Sequence, residues 1–580
     1  MGIFYFLKGI VLKYQYLIIM ILERYGGLMD KKEKRYTITE QANKINIVPY
    51  PGKTTLKENY IKLPMKISIY IGGFSYWCIK AYEKRTALTG HTLSVIENKD
   101  QAFICCNKKD LDNEEGYILE ISCNGIQINA STERGIIWAL TSLYQMTSIN
   151  GMIPEAEISD APRYRHRGLH IDCARHFFHK NEIKKILEEV SQFKMNSFHW
   201  HLSNDQGWRI EVEKYPLLYK QCGSSYYSKK DIAEIVEFAK ERGIDIIPEI
   251  DMPGHTRAVL SAYPEYSCSQ NKVKMAEYGG IYPVILCPGR EETFSFVQNL
   301  LDEIIPMFPG NAYHIGADEA PKHEWKKCPL CQKRIRDEKL ENENGLQGYF
   351  IQRVKRIAEK HGKTVYAFDD CLDVNGFADG LIIQEWMVTR QQKVAAYVKQ
   401  GGSFIYSDMM DIYYDYPAAM SNMERSYTVK PELADKDFSD NPFFLGFEAC
   451  VWTEHISEEK ELEKKIFPRI YALAENGWTC EDGKDYKSFK ERLSVLNEKK
   501  KHEETETVAN GNGDPEGEER RKEAVHFIRT LNSRIPEDAA KDTVEPDVTD
   551  EEFNRVFGIK MLNAHGDAME LMELAYKNSI

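Results

Sequence analysis

The sequence predicts an α/β protein: a (β/α)8 TIM barrel preceded by a small α+β domain, with a helical C-terminal extension. Three observations carry this. From 163 to 495, short apolar runs alternate with amphipathic helical stretches, the rhythm of parallel strands joined by crossover helices. Before that, residues 45–158 mix short β-rich runs with one helical stretch near 133–147. After it, 499–521 is rich in Lys, Glu, Gly and Asn and reads as a flexible linker, and 522–580 returns to apolar periodicity and reads as helical.

Taken in order, residues 1–44 are apolar and then polar. Lys8, Lys13 and Gln15 interrupt the apolar stretch 3–22, which weakens it as a spanning helix. Leu22-Glu-Arg-Tyr25 offers no small-residue cleavage site, and Met29 opens a polar segment like an ordinary start. The expectation is an upstream extension or weak anchor, with membrane contact only through 3–22; the alternative to a cytoplasmic protein is one anchored or exported through this apolar segment. In the small domain, 66–71 and 116–122 read as strands. Asp160-Ala-Pro162 marks the boundary. The barrel strands are expected at 168–172, 197–202, 245–251, 312–315, 364–368, 381–386, 403–406 and 447–452. Helices are expected between most of them, at 181–193, 229–242 and 293–307 for example.

The formal net charge of -13 disfavours nucleic acid as the main partner. The thirteen cysteines are scattered, mostly inside apolar runs, and read as reduced thiols of a cytoplasmic protein rather than a disulfide framework. Cys328-Pro-Leu-Cys331 is the one Cys-x-x-Cys. With no second pair at zinc-finger spacing, a structural or adventitious role is expected over zinc. His199, His201 and His255 read as pocket lining, so no metal and no cofactor are expected.

Polar and aromatic residues sit where all eight apolar runs end. They include Asp172 and Arg175, His199, His201 and Asn204, Glu249 and Asp251, Asp318-Glu319, Phe368-Asp-Asp370, Glu385-Trp386, Tyr413-Tyr-Asp415 and Trp452-Thr-Glu454. Strand ends of a barrel converge on one mouth. Aromatic faces cover the apolar side of a pyranose ring and carboxylates bind its hydroxyls, so the set suggests a sugar pocket. Alone, Asp318-Glu319 would be an ordinary solvated turn. Closing the apolar run Tyr313-His-Ile-Gly-Ala317, it is a place where one carboxylate can hold a proton and its neighbour stay ionised.

These residues resemble family 20 glycoside hydrolases, the β-N-acetylhexosaminidases. The resemblance is carried by Arg167-Gly-Leu-His-Ile-Asp-Cys-Ala-Arg-His-Phe-Phe178, His199-Trp-His-Leu-Ser-Asn-Asp-Gln-Gly-Trp-Arg-Ile210, Pro248-Glu-Ile-Asp-Met-Pro-Gly-His255, Leu286-Cys-Pro-Gly289, His314 to Glu319, Trp452-Thr-Glu454 and Phe467-Pro-Arg469. It covers the barrel from about 160 to 480 and, more weakly, the small domain. It implies removal of terminal β-linked N-acetylglucosamine or N-acetylgalactosamine with retention, the substrate's own acetamido oxygen acting as nucleophile. This family is a known exception to the two-carboxylate retaining scheme. By position, Glu319 is then the general acid and base and Asp318 holds the acetamido group. Tyr413 bonds the acetamido oxygen. Phe368, Trp386 and Trp452 wall the pocket, and Arg175, Asp415 and Glu454 bind hydroxyls. The implied partner is an amino-sugar-terminated oligosaccharide or glycoconjugate.

Four positions depart from the pattern. The family usually has an acid at Asn204, orienting His255 behind the catalytic glutamate. Asparagine supplies no charge, so His255 is expected to protonate less readily. Asp205 could substitute, but strand alternation points it the other way. Phe368 replaces a usual tryptophan and Asp370 a usual glutamate. Ala317 replaces a common glycine and is neutral provided its φ is negative. Two other readings stay open: a family member releasing disaccharides, of lacto-N-biosidase type, and a sugar-binding pseudoenzyme, favoured only by Asn204.

Overall fold

The computed structural model describes residues 45–504 apart from 374, 375 and 435. The readings for 1–44 and 522–580 lie outside the described residues, as does most of the linker segment. Among the described residues, no helix is long and apolar enough to cross a membrane.

The small domain is a seven-stranded mixed sheet whose outer member, Lys53–Lys62, pairs antiparallel with Met152–Asp160. Two helices pack on it, not the single one expected: Glu133–Met146 and the shorter Lys80–Leu88. The shorter helix escaped notice because it begins in the aromatic run Tyr76–Ile79, which carries no helical period. Glu133–Met146 is capped by Thr132, whose hydroxyl accepts from the Gly135 N–H. It is buried almost throughout, between its own sheet and the barrel.

Charged pairs join the two domains. Arg167, on the first barrel strand, meets Glu115 at 2.5 Å, and Trp138 donates to the same carboxylate. Lys194 reaches Asp160 at 2.9 Å and lies over the Trp478 ring. Buried ions need such partners, because an unpaired one loses its hydration for nothing in return.

Eight parallel strands close the barrel in chain order: His166–Asp172, Ser197–His201, Asp245–Glu249, Ala312–His314, Thr364–Phe368, Leu381–Glu385, Ser403–Tyr406 and Phe444–Val451. Several of the predicted runs overshoot these strands by one or two residues at their C-terminal ends, where the chain leaves the ladder. Register explains how the ends meet. Asp172 pairs with His201, His201 with Glu249, and Glu249 with His314. Further round, Phe368 pairs with Gln384 and Glu385 with Tyr406.

The barrel interior is polar where branched apolar side chains are usual. His199 lies between two glutamates, with Nδ1 2.7 Å from Glu448 and Nε2 2.9 Å from Glu249. His166 also bonds Glu448, and His201 bonds Glu249. His199 and His201 therefore form the barrel floor and do not line the pocket, contrary to the sequence reading. Their side chains do share one face of the strand, but that face is the closed interior, fully buried beneath the mouth.

The last helix, Tyr486–Glu504, runs six residues into the segment read as linker. Lys499 donates to the Tyr144 carbonyl and Lys500 pairs with Glu189 at 2.6 Å, so these lysines have partners that composition could not show.

Candidate active site

The fourth strand ends in a left-handed turn. Gly316, Ala317 and Glu319 have φ of 75°, 72° and 44°. Only glycine fits at 316, since a Cβ there would lie 2.0 Å from Asp251 Oδ1. Ala317 adopts positive φ, the condition under which the sequence reading does not hold it neutral, and so carries backbone strain. Three bonds offset that strain. Ala317 N–H donates to Asp251, Gln347 donates to the Ala317 carbonyl, and Glu319 N–H donates to Asp370. The turn breaks the two-residue alternation, so both Asp318 and Glu319 line one cavity.

Behind them stands His255, itself at φ 49°. Its Nε2 lies 3.3 Å from Glu319 and 3.8 Å from Asp318. Its Nδ1 lies 3.0 Å from Asp205. The acid that orients His255 is therefore present at Asp205. Asn204 turns instead to His201 Nε2 at 2.9 Å and is no part of the cavity lining. Alternation failed because Ser203-Asn204 and Gly207-Trp208 pair as a tiny hairpin and Asp205 sits in its turn. The expected weakening of His255 is also overturned. Burial opposes its charge, yet hydrogen bonds to Asp205 and Glu319 and the nearby Asp318 raise its pKa well above the ordinary range.

The cavity is about 690 Å³. Phe368, Trp386, Tyr413 and Trp452 form its aromatic wall, and Trp386 and Tyr413 lie nearly parallel, 14° apart. Trp386 is fixed by donating its indole N–H to Asp370 at 2.9 Å. At the polar end, Arg175 lies 3.3 Å from Asp172 and 3.5 Å from Glu454, its guanidinium over Trp452. Asp415 accepts from the Trp452 N–H. Of the eleven residues singled out from sequence, nine line this cavity; His255 backs it and Asn204 stands apart.

Comparison with known proteins places this geometry. The model of glycosyl hydrolase family 20, catalytic domain, matches residues 164–481, and that of the family's domain 2 matches 44–161. The chain belongs to glycosyl hydrolase family 20. A beta-hexosaminidase of Porphyromonas gingivalis is 31% identical over 502 residues, covering 80% of this chain and 64% of the relative. The chain thus spans under two thirds of that relative's length. The crystal structure of a beta-N-acetylhexosaminidase from Bacteroides fragilis superposes with a TM-score of 0.72 at 29% identity, covering 79% of this chain and 96% of that one. A family 20 exo-beta-N-acetylglucosaminidase from Vibrio harveyi, solved with N-acetylglucosamine, gives 0.70 at 25% identity, covering 79% and 77%.

In this family 20 chain the mouth carboxylates are electrostatically poised. Burial pushes Asp318 up to about 7, with Asp370 and Glu319 adding repulsion and His255 opposing. Its Oδ1 is buried with no hydrogen-bond partner among the described residues. Burial likewise pushes Asp415 up to about 7, with Glu454 as the next cause. At Asp318 a ligand can supply the missing donor.

Sequence reasoning missed His176, Gln206, Glu277, Tyr278, Tyr416 and His455 in the lining. His176, Tyr416 and His455 each adjoin a residue already singled out, which was the available signal. Glu277 and Tyr278 lie in a long irregular loop with no periodicity, held by Gln206 donating to the Tyr278 carbonyl. Away from the cavity, a further correction concerns cysteine. Cys328 and Cys331 do have partners, because Cys268 and Cys287 of the preceding loop converge on them. Cys268 and Cys287 stand at the two ends of an irregular loop, and helix Glu291–Ile304 and strand Ala312–His314 separate them from Cys328-Pro-Leu-Cys331, so no fixed spacing announces the four.

Proposed function

We propose that the chain is a retaining exo-β-N-acetylhexosaminidase, hydrolysing terminal β-linked N-acetylglucosamine or N-acetylgalactosamine by substrate-assisted catalysis. The observation that carries this is the Asp318-Glu319 turn. Two adjacent carboxylates face one aromatic cavity, one backed by the His255–Asp205 pair and the other with a buried unpartnered oxygen. Asp318 accepts the acetamido N–H and presses the acetamido oxygen toward the anomeric carbon. As that oxygen bonds to the carbon, the glycosidic C–O bond breaks and the leaving oxygen takes the Glu319 proton. An oxazolinium forms, its positive charge facing ionised Asp318. The new Glu319 carboxylate forms beside cationic His255, then takes a proton from the water that opens the oxazolinium. Two displacements at one carbon retain configuration.

Tyr413 reaches the acetamido oxygen, the aromatic wall packs the ring, and Arg175, Asp415 and Glu454 take the outer hydroxyls. The likeness to proteins named beta-hexosaminidase, and to one solved with N-acetylglucosamine, supports the reading. The non-catalytic alternative loses its observation once Asp205 stands behind His255. The disaccharide-releasing alternative keeps one: a cavity of about 690 Å³ exceeds what one pyranose ring fills.

The test is hydrolysis of a panel of terminal β-N-acetylhexosaminides and one β-linked lacto-N-bioside, with the first-formed anomer read by NMR. The β-anomer of a monosaccharide is expected, with Glu319→Gln and Asp318→Asn both strongly slowed. Wild-type rates in both variants, or an initial α-anomer, reject the mechanism. Release of the disaccharide alone selects the second reading.

We propose further that the protein works in the reducing cytoplasm; that none of the thirteen cysteines is paired in a disulfide supports this. Thiol alkylation in intact cells, followed by mass measurement, tests it. Disulfide-linked cysteines in the native protein reject it.

A further inference from the structure

The proposed reaction makes no use of the four cysteines that meet in the loops after the third and fourth barrel strands. The Sγ atoms of Cys268, Cys287, Cys328 and Cys331 all lie within 4.8 Å of one another. Three of their separations are 3.5, 3.7 and 3.9 Å, for Cys287–Cys331, Cys268–Cys331 and Cys287–Cys328. A disulfide needs about 2.05 Å, so these are not bonded pairs. A tetrahedral zinc tetrathiolate has Zn–S bonds of about 2.3 Å, which puts its sulfurs roughly 3.8 Å apart. The observed separations bracket that edge. A sulfide-bridged iron cluster would need thiolates much further apart. Four cysteines around one centre also leave no open coordination position, the mark of a structural site.

The surrounding chain is shaped for such a knot. Cys287-Pro-Gly289 is one arm and Cys328-Pro-Leu-Cys331 the other. A Cβ at Gly289 would fall 2.4 Å from the Cys331 nitrogen, so glycine is what lets the two arms close. A small apolar shell of Ile285, Trp325, Ile335 and Leu346 encloses the sulfurs. Trp325 donates to the Leu286 carbonyl and so joins the arms a second time.

We infer that Cys268, Cys287, Cys328 and Cys331 bind one structural zinc ion that clamps the loop after the third barrel strand to the loop after the fourth. The position gives the clamp a purpose. Residues 276–280, which wall the pocket, hang between Cys268 and Cys287. The other arm follows Asp318-Glu319 directly. Gly279 lies so close to Glu454 that a Cβ would stand 2.9 Å from its Cγ. Fixing both loop ends therefore fixes the wall against the polar end of the cavity.

The test is elemental analysis of the full-length untagged protein, purified after growth with zinc. About one zinc per chain is expected. Cys287→Ser and Cys331→Ser should drop it below a tenth, while Cys123→Ser, an exposed cysteine outside the cluster, should keep it. Growth on cobalt should give the charge-transfer and ligand-field absorption of a tetrahedral cobalt thiolate. In the Cys331→Ser variant, trypsin should cut after the exposed Lys272 and Lys274 at least tenfold faster. Wild-type protein with under a tenth of an equivalent of zinc overturns the inference, as do iron in its place or a disulfide among these cysteines. If the variants fail to fold, wild-type metal content and the cobalt spectrum still decide. None of these readouts depends on turnover, so they stand whatever the hydrolase assays return.

Discussion

The floor of the barrel and its mouth hold the same kind of residue in opposite states. Glu249 and Glu448 are fully buried, yet each is held far below the ordinary carboxylate range. Burial opposes this, and the imidazoles of His201, His314 and His199 around Glu249, and of His199 and His166 around Glu448, outweigh it. Asp318 is almost as buried, and it rises to about 7 because His255 compensates only in part. The difference teaches that burial alone assigns no role to a carboxylate. Where imidazoles close around it, the charge is locked in and holds the barrel together. Where an oxygen is left without a donor, the group is poised for a ligand.

Five experiments would break or sharpen this contrast. The largest effect is expected for Glu319→Gln, which removes the proton donor and should lower kcat/KM by roughly 10²–10⁴-fold toward substrates with poor leaving groups. An activated aryl substrate should lose much less, and equal losses on both would contradict the acid role. Next, Glu448→Ala removes one of the two carboxylates that hold His199 and the carboxylate that His166 bonds, and should destabilise by about 3–5 kcal/mol, read from urea midpoints at pH 7. A change under 1 kcal/mol would mean the floor network is not paired as described.

Third, pH should separate the two regions. Asp318 binds its proton more tightly folded than unfolded, so its contribution is lost as pH rises from about 4 to about 7. His199 is raised to about 9 by Glu448 and Glu249 against burial. Its contribution is full below about 6.5 and lost as pH rises through about 9. Asp318→Asn should therefore raise stability at pH 8 by on the order of 1–3 kcal/mol while abolishing activity, and do little at pH 4. A uniform gain at both pH values would assign the effect to something other than the charge.

Fourth, Asp205→Asn should lower kcat roughly tenfold, about 1.4 kcal/mol, and move the basic limb of the pH–rate profile downward. Asn204→Asp should leave that limb where it is. If Asn204→Asp moves it and Asp205→Asn does not, the relay runs through the wrong residue. The smallest effect is Ala317→Gly, which relieves a left-handed alanine and should stabilise by up to about 1 kcal/mol. A destabilised Ala317→Gly would show that the methyl's packing outweighs the strain.

Much of the fold was legible. The alternation of apolar runs with amphipathic stretches located all eight barrel strands, because each crossover helix imposes its own period between them. The small domain's Lys80–Leu88 helix was not, since tertiary packing supports it without an amphipathic pattern. In the site, residues ending strands were legible because a barrel delivers strand ends to one mouth. The Asn204 and Asp205 reading reversed because a two-residue period holds only within a ladder, and this pair stands where the ladder breaks into a turn.

By itself, then, the sequence determined the barrel, its small companion domain, the Asp318-Glu319 pair and the aromatic wall, because hydrophobic period and strand-end position are local properties of the chain. Only the tertiary structure decided that His199 and His201 belong to the floor, that Asp205 backs His255, that Ala317 is strained, and that four distant cysteines meet. Those are matters of loop path and burial. They depend on which segments come together across long stretches of chain, and no local pattern records that.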